Sequence, residues 1–115
     1  MKRGDIYLVD YEPVRGSEAD KARPSVIVSN DGANGAVVGA GRGVITVVPL
    51  TSNVSRLYPF QVLLQAGDSG LAKDSKAQCE QVRAMAGERF VRRIGAVSRQ
   101  RMAEIDTALR RHLAL

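Results

Sequence analysis

Residues 43–50, with the sequence GVITVVPL, form a nearly continuous apolar run rich in β-branched side chains. Such a run is typical of a strand that is covered on both of its faces. Two other segments rich in strand-forming residues precede it, at residues 5–11 (DIYLVDY) and 24–30 (PSVIVSN). The sequence therefore predicts three strands in this half of the chain, and we expect the third to be buried on both faces.

Two further strands are predicted at residues 58–65 and 75–84, separated by a turn that contains two glycines and an aspartate. Residues 31–43 hold five glycines, and such a flexible backbone is unfavourable to a stable helix. We expect this glycine-rich segment to be a mobile loop. A short helical turn is predicted around residues 87–91.

The C-terminal residues have the pattern of an amphipathic helix. Met102, Ile105, Leu109 and Leu113 recur at helical spacing, and Ser98 is placed to cap the first turn. Many short strands followed by one helix predict a mainly β (α+β) fold, in which a largely antiparallel barrel or sandwich is covered by that helix. The length of 115 residues fits a single domain over residues 1–115.

Composition restricts the environment and the partners. Seventeen Lys and Arg residues against twelve Asp and Glu residues give a net charge of +5, which favours an anionic partner. With Cys79 as the only cysteine, one chain forms no internal disulfide, and we expect Cys79 to be a small buried side chain. The sequence contains neither a long apolar span nor a signal-peptide pattern, so a cytoplasmic protein is predicted.

Several catalytic mechanisms lack the residues that they need. The only histidine, His112, falls in the last turn of the predicted helix, where a solvated role that favours the helix dipole is expected. The glycine-rich segment lacks the Lys-Ser or Lys-Thr pair of a phosphate-binding loop. The N-terminal carboxylates are interpreted as solvated surface rather than as magnesium ligands, and we predict neither a metal nor a cofactor. These carboxylates are Asp5, Asp10, Glu12, Glu18 and Asp20.

Phosphate chemistry with arginine is compatible with the residues that remain. RNA carries its own nucleophile, the 2′-hydroxyl, and an arginine can hold the phosphate with two hydrogen bonds. Arg23 directly precedes Pro24, which biases Arg23 towards an extended conformation, and Thr51 ends the third predicted strand. On these residues alone, Arg23 as a surface charge and Thr51 as a turn residue remain open alternatives.

A set of short segments, in order along the whole chain, resembles the MazF/PemK family of toxin endoribonucleases from bacterial toxin–antitoxin pairs. Each segment is modest alone, but their order and spacing together are highly specific. The segments are residues 2–7 (KRGDIY), 16–18 (GSE), 23–24 (RP), 26–31 (VIVSND), 48–52 (VPLTS), 80–83 (EQVR) and 94–95 (IG), followed by the terminal helix.

The resemblance implies an SH3-like, CcdB/PemK-type antiparallel barrel with a C-terminal helix. It also implies a homodimer whose subunit junction forms a groove for single-stranded RNA. Cleavage would be sequence-specific and independent of metal, leaving a 2′,3′-cyclic phosphate and a 5′-hydroxyl. The implied partner is an antitoxin whose acidic, disordered tail folds onto the toxin, in agreement with the net charge of +5.

Carried over residue by residue, the resemblance makes Arg23 the main catalytic group and Thr51 its partner at the scissile phosphate. It also implies a set of substrate-binding residues, in which positions 16–18 gate the groove. Lys76 and Gln78 depart from the more apolar strand of many relatives, and we expect them to face the groove. The substrate-binding set is Gly16, Ser17, Glu18, Pro24, Ser52, Asn53, Lys76, Gln78, Glu80, Gln81 and Arg83.

Two other functions are compatible with the same fold. A CcdB-like toxin would poison a protein target such as DNA gyrase without any enzymatic activity, because a fold does not determine a function. A third possibility is an RNA-binding module that lacks catalysis. Arg23 and Thr51 favour the endoribonuclease, since a protein-binding poison has no need of a phosphate site.

Overall fold

The computed structural model describes residues 1–11 and 22–115. The described part of the chain contains seven strands, three α-helices and two short 3₁₀ turns. The strands are β1 (Asp5–Asp10), β2 (Ala22–Ile27), β3 (Val44–Thr51), β4 (Gln61–Leu64), β5 (Ser75–Gln78), β6 (Arg83–Ala86) and β7 (Phe90–Ala96). The helices are α1 (Asp31–Ala40), α2 (Ala66–Ser69) and α3 (Arg99–Leu113). The 3₁₀ turns are Cys79–Gln81 and Gly87–Arg89.

The strands pair in an antiparallel manner in the order β4-β5-β3-β2-β1-β7, and β6 also pairs with β3. Strand β3 is the hub of the sheet, because it contacts β2 along one edge and β5 and β6 along the other. Its residues 45 and 47–50 are buried, as the continuous apolar run predicts. The predicted fold class, mainly β with an antiparallel sheet and a C-terminal helix, is confirmed.

The main hydrophobic core lies between the sheet and α3. Ile6, Val26 and Val48 come from three neighbouring strands, Leu64 comes from β4, and Ile105 comes from α3; each is at most 1% exposed. Burial of such aliphatic side chains contributes about 1.5–3 kcal/mol each to stability. The core therefore holds α3 against strands β1 to β4 of the sheet.

Helix α3 begins where the sequence predicts. The Ser98 hydroxyl oxygen accepts a hydrogen bond from the backbone N–H of Arg101, which satisfies one donor of the first turn. Ile105 and Ala108 face the core, whereas Leu113 is half exposed and His112 is exposed in the last turn. Within the described residues, no helix combines the length and the apolar character that crossing a bilayer requires.

The prediction of a mobile loop at residues 31–43 is wrong, because α1 occupies most of this segment. The side chain of Asn30 caps the helix by accepting from the N–H of Ala33 at 2.8 Å. Asn34 is fully buried, and its side chain exchanges hydrogen bonds with Ser29. Gly41, in the left-handed conformation that glycine adopts without strain, ends the helix. A cap at each end and one buried polar anchor thus offset the low helix propensity of the glycines.

Three other predicted elements differ from those observed. The strand predicted at 75–84 is split into β5 and β6 by the 3₁₀ turn Cys79–Gln81. The strand predicted at 58–65 begins only at Gln61. The helical turn predicted at 87–91 is confined to Gly87–Arg89, and strand β7 follows it without having been predicted.

Strand β7 is absent from the prediction because it is an edge strand with little apolar pattern. Val91, Arg92 and Arg93 are exposed, so its sequence lacks the alternation that marks a half-buried strand. Its pairing with β1 is interrupted by two register shifts. Gly95 lies so close to α2 that an added Cβ would stand 2.0 Å from the carbonyl oxygen of Ser69.

Candidate active site

Arg23 and Thr51 are brought to the same end of the sheet by strand pairing. In the β2–β3 pair, Ser25 lies opposite Pro49. Arg23 lies two residues before Ser25, and Thr51 lies two residues after Pro49. Because antiparallel strands run in opposite directions, this register places Arg23 and Thr51 at the same end of the sheet. Both line a cavity of about 440 Å³. The two residues that the sequence places in a catalytic pair therefore share one site.

The cavity has a basic and hydroxyl-rich rim above an apolar floor. Arg23 is exposed, and among the described carboxylates none forms an ion pair with its guanidinium. Lys73 adds a second exposed cation from the segment before β5. The complete lining consists of Arg23, Pro24, Leu50, Thr51, Ser52, Leu71, Ala72, Lys73 and Ser75. Two cations and several hydroxyl groups at an open cavity form an environment suited to a phosphate.

Thr51 has a local structural role in addition to its place in the cavity. Its Oγ1 accepts a hydrogen bond from the backbone N–H of Asn53 at 3.2 Å. The carboxamide oxygen of Asn53 in turn accepts from the backbone and the hydroxyl of Ser55. Toward the residues that the structure describes, the Thr51 oxygen acts only as an acceptor, so its hydroxyl proton is available to a ligand. Asn53 belongs to the turn and does not line the cavity.

A chain of hydroxyl groups holds the backbone at Arg23. The Ser25 hydroxyl donates to the carbonyl of Arg23 at 3.3 Å and also hydrogen-bonds to the Tyr11 hydroxyl. Since Ser25 has only one proton to donate, Tyr11 is the donor in their shared bond. Burial raises the pKa of Tyr11, against the smaller lowering effects of the Ser25 hydrogen bond and the charges of Arg83 and Arg23. Tyr11 is therefore protonated at neutral pH and can serve as this donor.

Arg83 lies close to Tyr11 but does not line the cavity. It pairs with Val47 of β3 through strand β6, and its guanidinium carbon lies 5.2 Å from the centroid of the Tyr11 ring. This is the distance of a cation–π contact. The neighbouring Gln81 is exposed in the 3₁₀ turn. Of the predicted binding residues, Gly16, Ser17 and Glu18 lie outside the described part of the chain.

A second polar group lies on the other side of Thr51. Lys76 of β5 is paired with Thr51, is only 8% exposed, and donates from its Nζ to the carbonyl of Arg56 at 2.6 Å. Gln78 and Glu80 follow along the chain and lie next to Gln61 of β4. These predicted binding residues thus form a group separate from the cavity that Arg23 lines.

The thiol of Cys79 is unsuited to nucleophilic chemistry. Cys79 is fully buried, as predicted, and burial raises the pKa of its thiol to about 12, with a smaller contribution from the charge of Glu80. A neutral thiol is a poor nucleophile. In the described part of the chain, no group of three His, Cys, Asp or Glu side chains is arranged to hold a metal.

Comparison with known families decides what kind of protein carries this site. Residues 2–113 match the family described as the PemK-like, MazF-like toxin of type II toxin–antitoxin systems. The chain belongs to this family. The resemblance inferred from the sequence segments is thereby confirmed.

Individual relatives within the PemK-like, MazF-like family align over nearly their whole length. The chain is 56% identical to Endoribonuclease MazF9 of Mycobacterium tuberculosis, covering 100% of this chain and 98% of that protein. It is 33% identical to Endoribonuclease MazF of Staphylococcus epidermidis, covering 95% and 88% respectively. A solved structure described as an endoribonuclease in complex with its cognate antitoxin, from a mycobacterial species, superposes with a TM-score of 0.78 at 25% identity, covering 100% of this chain and 96% of that one. The predicted PemK-type architecture is therefore confirmed.

Some residues of the site have no counterpart in the sequence-based prediction. Lys73, Ser75 and Leu71 reach the cavity because the segment before β5 folds against the ends of β2 and β3. Tyr11 and Ser25 support Arg23 through side-chain contacts across the β1–β2 pair. A basic residue just before a predicted strand was the only available signal for Lys73. No local sequence signal marks the Tyr11–Ser25 pair.

Proposed function

We propose that this member of the toxin family is a sequence-specific endoribonuclease that cuts single-stranded RNA without a metal ion and leaves a 2′,3′-cyclic phosphate and a 5′-hydroxyl. The observation that carries the proposal is the meeting of Arg23 and Thr51, distant in sequence, at one cavity. The endoribonuclease names of the two curated relatives support the same activity.

In the proposed reaction, the 2′-oxygen of the RNA attacks the adjacent phosphorus. A bond forms between the 2′-oxygen and phosphorus, the bond to the 5′-oxygen breaks, and the proton lost from the 2′-hydroxyl is balanced by one gained at the leaving oxygen. Negative charge increases on the non-bridging oxygens in the transition state. Stabilising that charge with fixed donors is usually the largest contribution that an enzyme makes.

Arg23 holds and neutralises the phosphate in this reaction. Its planar guanidinium donates two parallel hydrogen bonds to phosphate oxygens and stays charged at every physiological pH. For the same reason it is a poor base, so its role is charge stabilisation rather than proton abstraction. The Ser25–Tyr11 chain and the ring of Pro24 keep its backbone in position.

Thr51 and Lys73 assist Arg23. The Thr51 hydroxyl donates to a phosphate oxygen, and the Lys73 ammonium supplies a second positive charge at the cavity. These two cations replace the charge that a magnesium ion contributes in metal-dependent nucleases. Metal independence of the reaction rests on this charge argument.

The proposal includes a cytoplasmic homodimer and an antitoxin partner. The net charge of +5 favours both RNA and an acidic polypeptide tail. A structural neighbour was solved with its cognate antitoxin, which supports a corresponding partner for this chain. In the dimer, Gly16, Ser17 and Glu18 would gate the RNA groove.

The proposed activity is tested with purified protein and a long unstructured RNA in the presence of EDTA. We expect discrete cuts at a recurrent short sequence, because the charge stabilisation comes from side chains. Uncut RNA in EDTA together with DNA breaks that depend on gyrase would contradict the endoribonuclease and establish the CcdB-like alternative.

A further inference from the structure

Three polar side chains form a cluster on the outer face of the β4–β5 pair. Gln61 and Gln78 are directly opposite each other, so their side chains lie on the same face. Glu80 joins them, because its Oε2 accepts a hydrogen bond from the Gln61 Nε2 at 2.9 Å. We call Gln61, Gln78 and Glu80 the acceptor cluster.

Two oxygens of the acceptor cluster are buried without a partner. Among the described residues, neither Gln78 Oε1 nor Glu80 Oε1 has a hydrogen-bond donor, although both atoms are enclosed. Nearly all buried polar atoms in folded proteins are hydrogen-bonded, and leaving one unpaired is unfavourable. The cluster therefore lacks donors that a ligand can supply.

Gln61 forms hydrogen bonds within the protein through both the nitrogen and the oxygen of its amide. Its Nε2 is engaged with Glu80, and its Oε1 accepts from the backbone N–H of Tyr58 at 3.2 Å. Gln61 therefore both donates and accepts within the protein. The atoms of the cluster that lack a described partner are the side-chain oxygens of Gln78 and Glu80. Both oxygens belong to side chains that flank Gln61, and a single amino group carries the two hydrogens that two such acceptors need.

An aromatic pair lies next to the cluster. Tyr58 and Phe60 are stacked, with ring centroids 5.4 Å apart and planes inclined by 1°. Tyr58 is 41% exposed, and the Lys76 ammonium lies 5.9 Å from its centroid. Aromatic rings support nucleobases by stacking, and neighbouring polar groups then read the base edge.

The cluster lies close to the candidate active site. Lys76 is paired with Thr51, and Gln78 follows Lys76 by two residues on the same face of β5. Two residues along a strand span about 7 Å, so the cluster lies roughly one nucleotide from a phosphate at Thr51. A base beside the scissile phosphate can thus reach it.

We propose that Gln78 and Glu80 read one base of the RNA by its exocyclic amino group, and thereby select adenine, cytosine or guanine against uracil at one position near the cut. This inference rests on the proposed RNA cleavage. Both oxygens are enclosed, so binding requires the groups that cover them to move aside. Uracil is rejected because it has no amino group, and its single N3–H serves only one of the two acceptors.

The test compares the cleavage maps of wild-type protein, Glu80→Gln and Gln78→Met, obtained by sequencing all 5′-hydroxyl ends from a long RNA. Glu80→Gln keeps an oxygen for Gln61 and places an amide NH₂ where the unpaired oxygen stood, so a donor replaces an acceptor. We expect the wild-type map to exclude uracil at one position and Glu80→Gln to lose that exclusion by roughly tenfold or more. Gln78→Met removes the other acceptor and weakens the same exclusion.

Two controls separate base reading from a structural role. Glu88→Gln removes the same charge from an exposed site and leaves the map unchanged. We expect wild-type protein to cleave an RNA whose amino-bearing base is replaced by an analogue without the amino group roughly tenfold more slowly than the unmodified RNA. Glu80→Gln is expected to cleave the two RNAs at similar rates. Thermal unfolding and sedimentation establish that each variant is folded and keeps the wild-type oligomeric state.

The outcomes distinguish the two proposals. If wild-type protein leaves every RNA intact, the proposed function fails and the base reading fails with it. If wild-type protein cuts RNA and both variants give its map unchanged, base reading alone is overturned. If a variant changes the oligomeric state but not the base preference, the acceptors belong to a subunit contact and the inference is likewise overturned.

Discussion

Replacing Arg23 with alanine lowers the rate of RNA cleavage by about a hundredfold or more, because it removes the fixed positive charge at the phosphate. Arg23 is exposed and lines the cavity, so its truncation leaves the core untouched. Substitutions at such surface positions change the free energy of unfolding by only about 0.5 kcal/mol. Single-turnover cleavage of one defined RNA, alongside thermal unfolding, measures both quantities.

Matched variants show whether charge alone explains the loss. Arg23→Lys keeps the positive charge but loses the planar fork, so we expect a rate between those of wild type and Arg23→Ala. Arg42→Ala removes an exposed arginine that lies outside the cavity, and wild-type cleavage is expected. Full activity in a folded Arg23→Ala protein would falsify the catalytic assignment.

Gly95→Ala destabilises the protein by about 2–3 kcal/mol, because no space exists for a side chain at this position. The added Cβ would meet the carbonyl oxygen of Ser69 at 2.0 Å and the Cα of Gly70 at 3.3 Å. These are backbone atoms, so relief requires α2 to move away from β7. The shift in the midpoint of urea unfolding measures the effect.

Gly39→Ala is the matched control for Gly95→Ala. An added Cβ at Gly39 meets no atom within 4 Å, and the residue lies inside α1. We expect this variant to be more stable than wild type by about 0.5–1 kcal/mol, because alanine favours a helix over glycine. Equal stability of the two variants would contradict the close packing of β7 against α2.

The elements that the sequence predicts well are those with a clear hydrophobic pattern. The apolar run of β3 and the spacing of Met102, Ile105 and Leu109 in α3 both reflect burial against the core. The sequence-based prediction missed helix α1 because its glycines lower the helix propensity of this segment. Its stability comes from the Asn30 cap and from the buried Asn34, and the second of these depends on a tertiary contact with Ser29.

In the candidate site, too, a local sequence pattern marks some residues, whereas only the packing of separate segments brings in the others. Arg23 and Thr51 are recognisable because they directly flank predicted strands and belong to segments that resemble a known family. Lys73 and the Tyr11–Ser25 pair depend on how separate segments pack together, and no local pattern encodes that. The three residues of the predicted gating segment, positions 16–18, lie outside the described part of the chain and stay a prediction.

Attack by the RNA's own 2′-hydroxyl is tested most directly by removing that single oxygen from the substrate. One RNA that the protein cuts at a defined site is made with a single 2′-deoxy nucleotide immediately before the cut, and cleavage is followed in EDTA. We predict that the unmodified RNA yields a 2′,3′-cyclic phosphate and that the deoxy substrate stays intact at that site while it still binds. Cleavage of the deoxy substrate at the same bond would contradict attack by the 2′-hydroxyl and the proposed 2′,3′-cyclic product.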